Sequence, residues 1–324
     1  MKAKPKLEDV AKAAGVSPTT VSRVLNNRGA ISDKTRKRVH DAVQRLNYHP
    51  NEIARSLFVS KTHLIGIIFP STSQPFFGEM IAQIENLLFE KNYKVLICNT
   101  MDQADKEKNY LNMLLASQVD GVIIGTHSLG IDAYLQAQLP VIAIDRDATG
   151  TVTVVRSDHY QGGRMATEEL LRQGRTRIVH VNGMHTRRSL SCSQQQKGYE
   201  DAMEAHGLPC KTYNIESSLD IRAKKQLLKT MIASHLNLEG IFLSDDITAA
   251  IALSIIRKMD RDIAVVGYDG TTTVTTCLPE LTTIVQPIRA MAKLTVDLLL
   301  KEISNEFSGI KRNYVLPVTL KKGE

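Results

Sequence analysis

LEDVAKAAGVSPTTVSRVLN, residues Leu7 to Asn26, contains two helical patterns separated by a break. Leu7, Val10, Ala11 and Ala14 recur at helical spacing, which gives the first helix one apolar face. Gly15 interrupts the run, and Ser17 followed by Pro18 supplies an N-cap and a first-turn proline for a second helix. That helix sets Val21, Val24 and Leu25 on one side and Thr19, Thr20, Ser22, Arg23 and Asn26 on the other. Ala11 is small where the helices cross, Gly15 can take the positive φ of a tight turn, and Val21 locks the second helix. These are the steric needs of a helix-turn-helix. A third helix, opened by Ser32, carries Val39, Ala42, Val43 and Leu46 on one face.

The charge of the 324-residue chain is uneven. Residues 1–60 hold twelve Lys+Arg against five Asp+Glu, which accounts for the whole net charge of +7. A basic head on a neutral body is expected of a polyanion-binding segment, because each phosphate it neutralises releases a counterion. At 43% hydrophobic and 23% charged residues, the composition is that of an ordinary globular protein and excludes a disordered tail or a fibre. No apolar run is long enough to span a bilayer and residues 1–17 lack a secretory core, so a cytoplasmic location is expected. Cys98, Cys192, Cys210 and Cys277 show no metal or disulfide spacing and read as reduced core thiols.

The opening stretch, with LNYHPN (Leu46 to Asn51), ARSL (Ala54 to Leu57), VVGYDGT (Val265 to Thr271) and LTTIVQP (Leu281 to Pro287), resembles the lactose-repressor/galactose-repressor family of bacterial transcription regulators over essentially the whole chain. The resemblance implies a homodimer or tetramer that places its second helix in the major groove of a pseudo-palindromic operator. Thr19, Ser22 and Arg23 are then expected near base edges. Ser17, Thr20 and Asn26 are expected mainly on the backbone, and Pro18 brings no donor. Residues 50–61 form a further short helical pattern, too short to be stable alone. The resemblance makes it a hinge helix that pairs in the minor groove, where Leu57 wedges into a base step.

From residue 62 onward, short apolar runs alternate with helix-length amphipathic stretches. The runs are Leu64 to Phe69, Lys94 to Cys98, Val119 to Ile124, Val141 to Ile144, Ile178 to Val181, Gly240 to Leu243 and Ile263 to Val266. This order predicts parallel sheets flanked by helices. The expected architecture is therefore an all-α helix-turn-helix head (1–49), a hinge (50–61) and an α/β body (62–324). In the body, the resemblance implies two similar, periplasmic-binding-protein-like subdomains, 62–158 with 287–313 and 159–286 with 314–324. The chain would cross between them near Asp158, Gln286 and Tyr314.

Open parallel sheets bind ligands beyond their strand ends. Polar and aromatic residues stand there in this sequence: Ser71 to Gln74 with Phe76 and Phe77, Asn99, Thr126 with His127, Asp145 with Arg146, Asp158, Asp245 with Asp246, and Asp269. Their mixture suits a neutral polyol, with charged groups on hydroxyl pairs and Phe76, Phe77 or Tyr268 covering an apolar sugar face, and the expected effector is a small sugar or sugar phosphate. Each Asp has capping the next helix as its duller alternative, and the two phenylalanines are equally at home in the core. The resemblance raises Asp269 and Asp145, and with them Gln286, as effector contacts. It also exposes two departures. Gln195 stands where the family often has an effector-clamping arginine, which leaves Arg187 or Arg188 as substitutes, and Asp245 stands where asparagine is common.

No nucleotide-loop, metalloprotease or serine-hydrolase signature is present, so neither catalysis nor a cofactor or metal is expected. A sugar-binding transport receptor would share the body but not the head. Among regulators, a local sugar-operon repressor is favoured over a global carbon-catabolite regulator that uses a phosphorylated carrier protein as corepressor, since YDGT resembles the versions in ribose and sucrose operon repressors.

Overall fold

The computed structural model describes residues 5–49, 61–125, 130–146, 150–184, 190–216, 220–306 and 308–324. The expected hinge helix with Leu57, and Thr126, His127, Arg187 and Arg188, lie outside the described residues. Residues 1–62 and 63–324 form separate compact units.

The first unit contains helices α1 (Leu7–Ala14), α2 (Pro18–Leu25) and α3 (Asp33–Leu46). Gly15 ends α1 at φ 61°, a left-handed conformation that glycine takes without a Cβ clash. The Ser17 and Ser32 side chains accept the Thr20 and Thr35 amide protons at 3.2 and 3.4 Å and start the next two helices. Val10, Ala11, Ala14, Val21, Val24, Val39, Ala42 and Tyr48 make the core. Arg38 of α3 donates from Nε to the Ala14 carbonyl at 3.0 Å and from Nη2 to Gly15 at 2.7 Å, while Arg45 reaches the Ala13 carbonyl at 3.1 Å. Two cations of the basic head thus satisfy the carbonyls at the end of α1, where the helix dipole favours positive charge.

The second unit runs β1 (Leu64–Phe69), α4 (Pro75–Glu90), β2 (Lys94–Asn99), α5 (Ala104–Ala116), β3 (Gly121–Ile124), α6 (Asp132–Leu135), β4 (Val141–Ile144) and β5 (Thr153–Ser157) through a first lobe. It continues as α7 (His159–Arg172), β6 (Ile178–Met184), α8 (Leu190–Ala205), β7 (Thr212–Glu216), α9 (Ile221–Ser234), β8 (Gly240–Leu243), α10 (Asp246–Met259), β9 (Ala264–Asp269), α11 (Thr272–Cys277) and β10 (Thr282–Val285). Helix α12 (Ile288–Ile303) and β11 (Asn313–Leu316) return to the first lobe, and β12 (Thr319–Lys321) ends in the second. The sheets have the orders β11-β5-β4-β3-β1-β2 and β12-β10-β9-β8-β6-β7. The first is parallel throughout, whereas β12 lies antiparallel on β10.

Alternation along a strand feeds two cores. Ile65, Ile67 and Phe69 face one helical layer and Ile68 the other, and Ile241 and Leu243 are likewise separated from Phe242 in the second lobe. Because β11 pairs with β5 through Leu316, the third crossing falls at Pro317 and Val318, later than the expected position near Tyr314. The first two crossings, between Ser157 and His159 and between Val285 and Ile288, fall at Asp158 and Gln286.

Candidate nucleic-acid interface and effector cleft

On α2, Thr19 and Arg23 are exposed one helical turn apart and their side chains make no hydrogen bond among the described residues. Their side chains are therefore available to a groove. Ser17 and Thr20 share a hydroxyl contact of 2.9 Å at the N-cap, and Asn26 turns its amide back onto the Ser22 carbonyl at 2.8 Å. Ser17, Thr20, Ser22 and Asn26 are thus committed partly to capping and to the end of the helix, while Pro18 occupies its first position. Arg38 and Arg45, which the charge count cannot tell from phosphate contacts, are engaged on the carbonyls at the end of α1.

In the second unit, a cleft opens at the strand ends between the two lobes. Pro70, Gln74, Phe76, Phe77, Gly125 and Asp145 line it from the first lobe. His159, Gly183, Ser191, Cys192, Gln195, Lys224, Ser244, Asp245 and Asp269 line it from the second, with Gln286 at the crossing.

A hydrogen-bonded network lies along its floor. Gln286 donates from Nε2 to Asp269 Oδ1 at 2.7 Å and accepts the Ser157 hydroxyl at 2.7 Å. The Ser157 amide donates to Asp145 Oδ1 at 3.2 Å, and His159 Nε2 lies 2.7 Å from the same oxygen. A carboxylate only accepts, so Nε2 carries a proton, and in the neutral ring Nδ1 accepts the Tyr268 hydroxyl at 2.9 Å. Tyr268 is fully buried beneath the cleft, which rules it out as a sugar platform.

The acidic side chains divide their roles. Asp158 caps α7 by accepting the Gln161 amide at 3.1 Å. Asp245 caps α10, accepting the Thr248 amide at 2.7 Å and its hydroxyl at 2.6 Å, and still lines the cleft. Burial, with Asp246 and Asp245 nearby, pushes the Asp269 carboxyl well above the usual carboxylate range. Asp145 and Asp269 both take positive φ, 50° and 114°, uncommon for a residue with a Cβ.

Three expectations are corrected. Arg146 is buried away from the cleft lining, 3.7 Å from Glu107 and over the Tyr134 ring at 5.3 Å. Successive residues after a strand diverge, and the turn at Asp145 sends the guanidinium into the first lobe. Asn99 at the end of β2 does not line the cleft either. Of the four cysteines, Cys210 and Cys277 are exposed rather than core. Phe76 is a core residue with an edge at the cleft, packed edge-on against Phe77 at 5.3 Å, and Phe77 is the less buried of the two.

Gln195 lines the cleft and its Oε1 has no hydrogen-bond partner among the described residues. It reaches this position because α8 packs against α7 through Gly163, where a Cβ would lie 2.1 Å from the Gln195 carbonyl. Sequence reading missed His159, Ser157, Ser244, Cys192 and Lys224. For His159 and Ser157 a signal existed in the crossing at Asp158, whose neighbours necessarily sit at the lobe junction.

A helix-turn-helix head and a two-lobed body with a polar cleft at its strand ends define a ligand-responsive DNA-binding protein. The chain belongs to the LacI family: residues 6–51 match the bacterial regulatory proteins, lacI family, and residues 62–322 match the periplasmic binding proteins and sugar binding domain of LacI family. It is 43% identical over 324 residues to the sucrose operon repressor of Pediococcus pentosaceus, covering 99% of both chains. It is also 41% identical to that of Streptococcus mutans serotype c (98% of each) and 34% identical to the ribose operon repressor of Halalkalibacterium halodurans (93% of this chain, 91% of that one). Among solved structures, a lac repressor dimer bound to operator and the anti-inducer ONPF matches with a TM-score of 0.87 at 27% identity, over 99% of this chain and 98% of that one. Among the described residues no helix is long and apolar enough to cross a membrane.

Proposed function

We propose that the protein represses a sucrose-utilisation operon, and that sucrose or a sugar derived from it, free or phosphorylated, controls operator affinity by binding in the interlobe cleft. The observation that carries this reading is identity to a sucrose operon repressor that continues through head and body alike. The cleft fits the chemistry: carboxylates and amides bind hydroxyl pairs, and Phe77 offers an apolar face. The protein acts in the cytoplasm as a homodimer and turns nothing over.

In this reading Thr19 and Arg23 contact base edges and Ser17, Thr20 and Asn26 hold the backbone, while Leu57 of the hinge wedges the minor groove. Asp269, Asp145, Gln286, Gln195, Asp245 and Phe77 meet the sugar. Binding changes the angle between the lobes, and the hinge responds only as far as the sugar's affinities for the two arrangements differ, typically by about 1–3 kcal/mol. Gel retardation on the operator tests the proposal, with sucrose, fructose, glucose, ribose and their phosphates added separately. Sucrose or a sucrose-derived sugar should shift the DNA-binding curve, and a response to ribose alone would overturn the reading.

A further inference from the structure

Beneath the cleft lies a carboxylate that touches no cleft space of its own. Asp246, in the first turn of α10, is buried, accepts the Gly270 amide on Oδ2 at 2.8 Å and the Thr283 hydroxyl on Oδ1 at 2.6 Å. It stands on the inner side of β9, where Gly267 admits it: a Cβ at that position would lie 2.3 Å from Asp246 Oδ1. Gly270 is likewise pressed against β10, its Cβ position 2.6 Å from the Val285 Cα. Between these two glycines the chain carries Asp269 at φ 114°. A residue with a Cβ holds such a conformation only when its surroundings over-determine it. The Gly270 amide follows Asp269 directly, so its bond to Asp246 fixes the peptide plane on the C-terminal side of the strained residue.

We propose that Asp246 is a positioning residue of the effector cleft, holding the Asp269 main chain in the turn that presents its carboxyl to the sugar and, when ionised, adding a second carboxylate beside it. The inference rests on the cleft being the effector site. Asp246 is buried and does not line the cleft. Burial raises its carboxyl to about 7, offset in part by the bonds from Thr283 and Gly270. The charged and titratable groups facing the pair are Asp245 at the cap of α10, Asp145 after β4, His159 at the start of α7, Lys224 on α9 and the Tyr268 hydroxyl below. Against that largely acidic surround the two carboxyls repel each other's second charge, so ionising one holds the proton on the other.

The test uses the full chain with Asp246→Asn, Asp246→Ala, Asp269→Asn and the double variant Asp246→Asn with Asp269→Asn. Asparagine keeps an acceptor for the Gly270 amide and can turn its NH2 onto the Thr283 hydroxyl, so it removes the charge and retains the shape. Alanine removes both. Thermal midpoints measured from pH 4 to pH 8 need no sugar. Carboxyls whose folded pKa is raised destabilise the fold progressively as pH climbs from the unfolded value toward the folded one. The wild type should therefore lose stability over that window relative to Asp246→Asn, and at pH 8 the gains of the two Asn substitutions should combine to less than their sum. A lost structural contact alone would displace the midpoint equally at every pH. With sucrose as the calorimetric probe, Asp246→Asn should bind more tightly than wild type near pH 8, where Asp246 is ionised, and Asp246→Ala should bind at least tenfold more weakly throughout. Additive Asn gains, a midpoint offset independent of pH, or wild-type sucrose affinity in Asp246→Ala would each overturn the proposal. Failure of wild type to bind sucrose would instead overturn the assignment of the sugar, and the midpoints would still decide the role of Asp246.

Discussion

Gln286 joins the two crossing strands of the body to the cleft: its amide nitrogen holds Asp269 at 2.7 Å and its carbonyl oxygen holds the Ser157 hydroxyl at 2.7 Å. Ser157 ends β5, directly before the first crossing, and Gln286 lies at the second. A sugar that recruits the Asp269 carboxyl must compete with or reinforce a bond made at the junction of the lobes.

Asp269→Ala should therefore abolish the sugar response and leave operator affinity in the absence of sugar near wild type. Removing a buried carboxyl leaves its hydrogen-bond partners unsatisfied at about 1–3 kcal/mol, so sugar affinity should fall by about tenfold or more. Calorimetry and operator titration with and without sucrose read the two effects separately. A retained response would remove Asp269 from the effector site.

Arg23→Ala should weaken operator binding by about 1–3 kcal/mol and relax selection at one position of each half-site, as expected for a lost base contact. Quantitative footprinting on the operator and on single-base variants measures both. Unchanged affinity and unchanged selectivity would show that Arg23 does not enter the groove.

Arg38→Met should weaken DNA binding by a different route. Its guanidinium sits on the Ala14 and Gly15 carbonyls, so its loss uncaps α1 and lowers the stability of the head by about 1 kcal/mol. The salt dependence of operator binding should keep its wild-type slope, whereas loss of a phosphate contact reduces the slope by about one. A shallower slope would place Arg38 on the DNA.

His159→Ala should destabilise the body by about 2–4 kcal/mol, since it leaves the Tyr268 hydroxyl and one Asp145 oxygen short of a partner in a buried network. His159→Gln retains a donor and should recover part of the loss. Urea unfolding of both variants measures the difference, and a stability equal to wild type in His159→Ala would mean that the network contributes nothing.

His180 gives the body an acid-sensitive core. It is buried between Phe242, stacked at 4.6 Å, and Tyr199, and burial pushes the imidazole from 6.5 down to about 4. With the folded value depressed, protons bind the unfolded chain first. Stability from this group is intact above about pH 6.5 and is lost as pH falls toward 4, by roughly 3 kcal/mol in all. His180→Phe should be stabilised relative to wild type increasingly over that window, whatever constant offset the larger ring introduces. Parallel stability curves for the two proteins would show that His180 does not carry the effect.

What the sequence determined is local. Ser17 with Pro18, Gly15 and Ser32 mark helix ends through contacts between residues a few positions apart, so the head was legible residue by residue. The continuous apolar runs, such as Leu64 to Phe69 and Gly240 to Leu243, announce strands buried on both faces for the same reason. Strands β5, β7, β10, β11 and β12 were not legible: segments such as TYNIE and TTIV mix threonine and polar residues, and three of the five lie at sheet edges where one flank needs no partner. The cleft was legible as a set of strand ends and not as a set of partners. Asp145 and Arg146 are adjacent in sequence and equally polar, yet one faces the cleft and the other pairs with Glu107, because the backbone turn at Asp145 separates their directions. Ser157 meets Gln286 across 129 positions and His159 meets Tyr268 across 109. The first pair exists because the chain crosses between the lobes more than once and the second because α7 packs on β9 within one lobe, and no local pattern records which two distant side chains that topology will bring within hydrogen-bond reach.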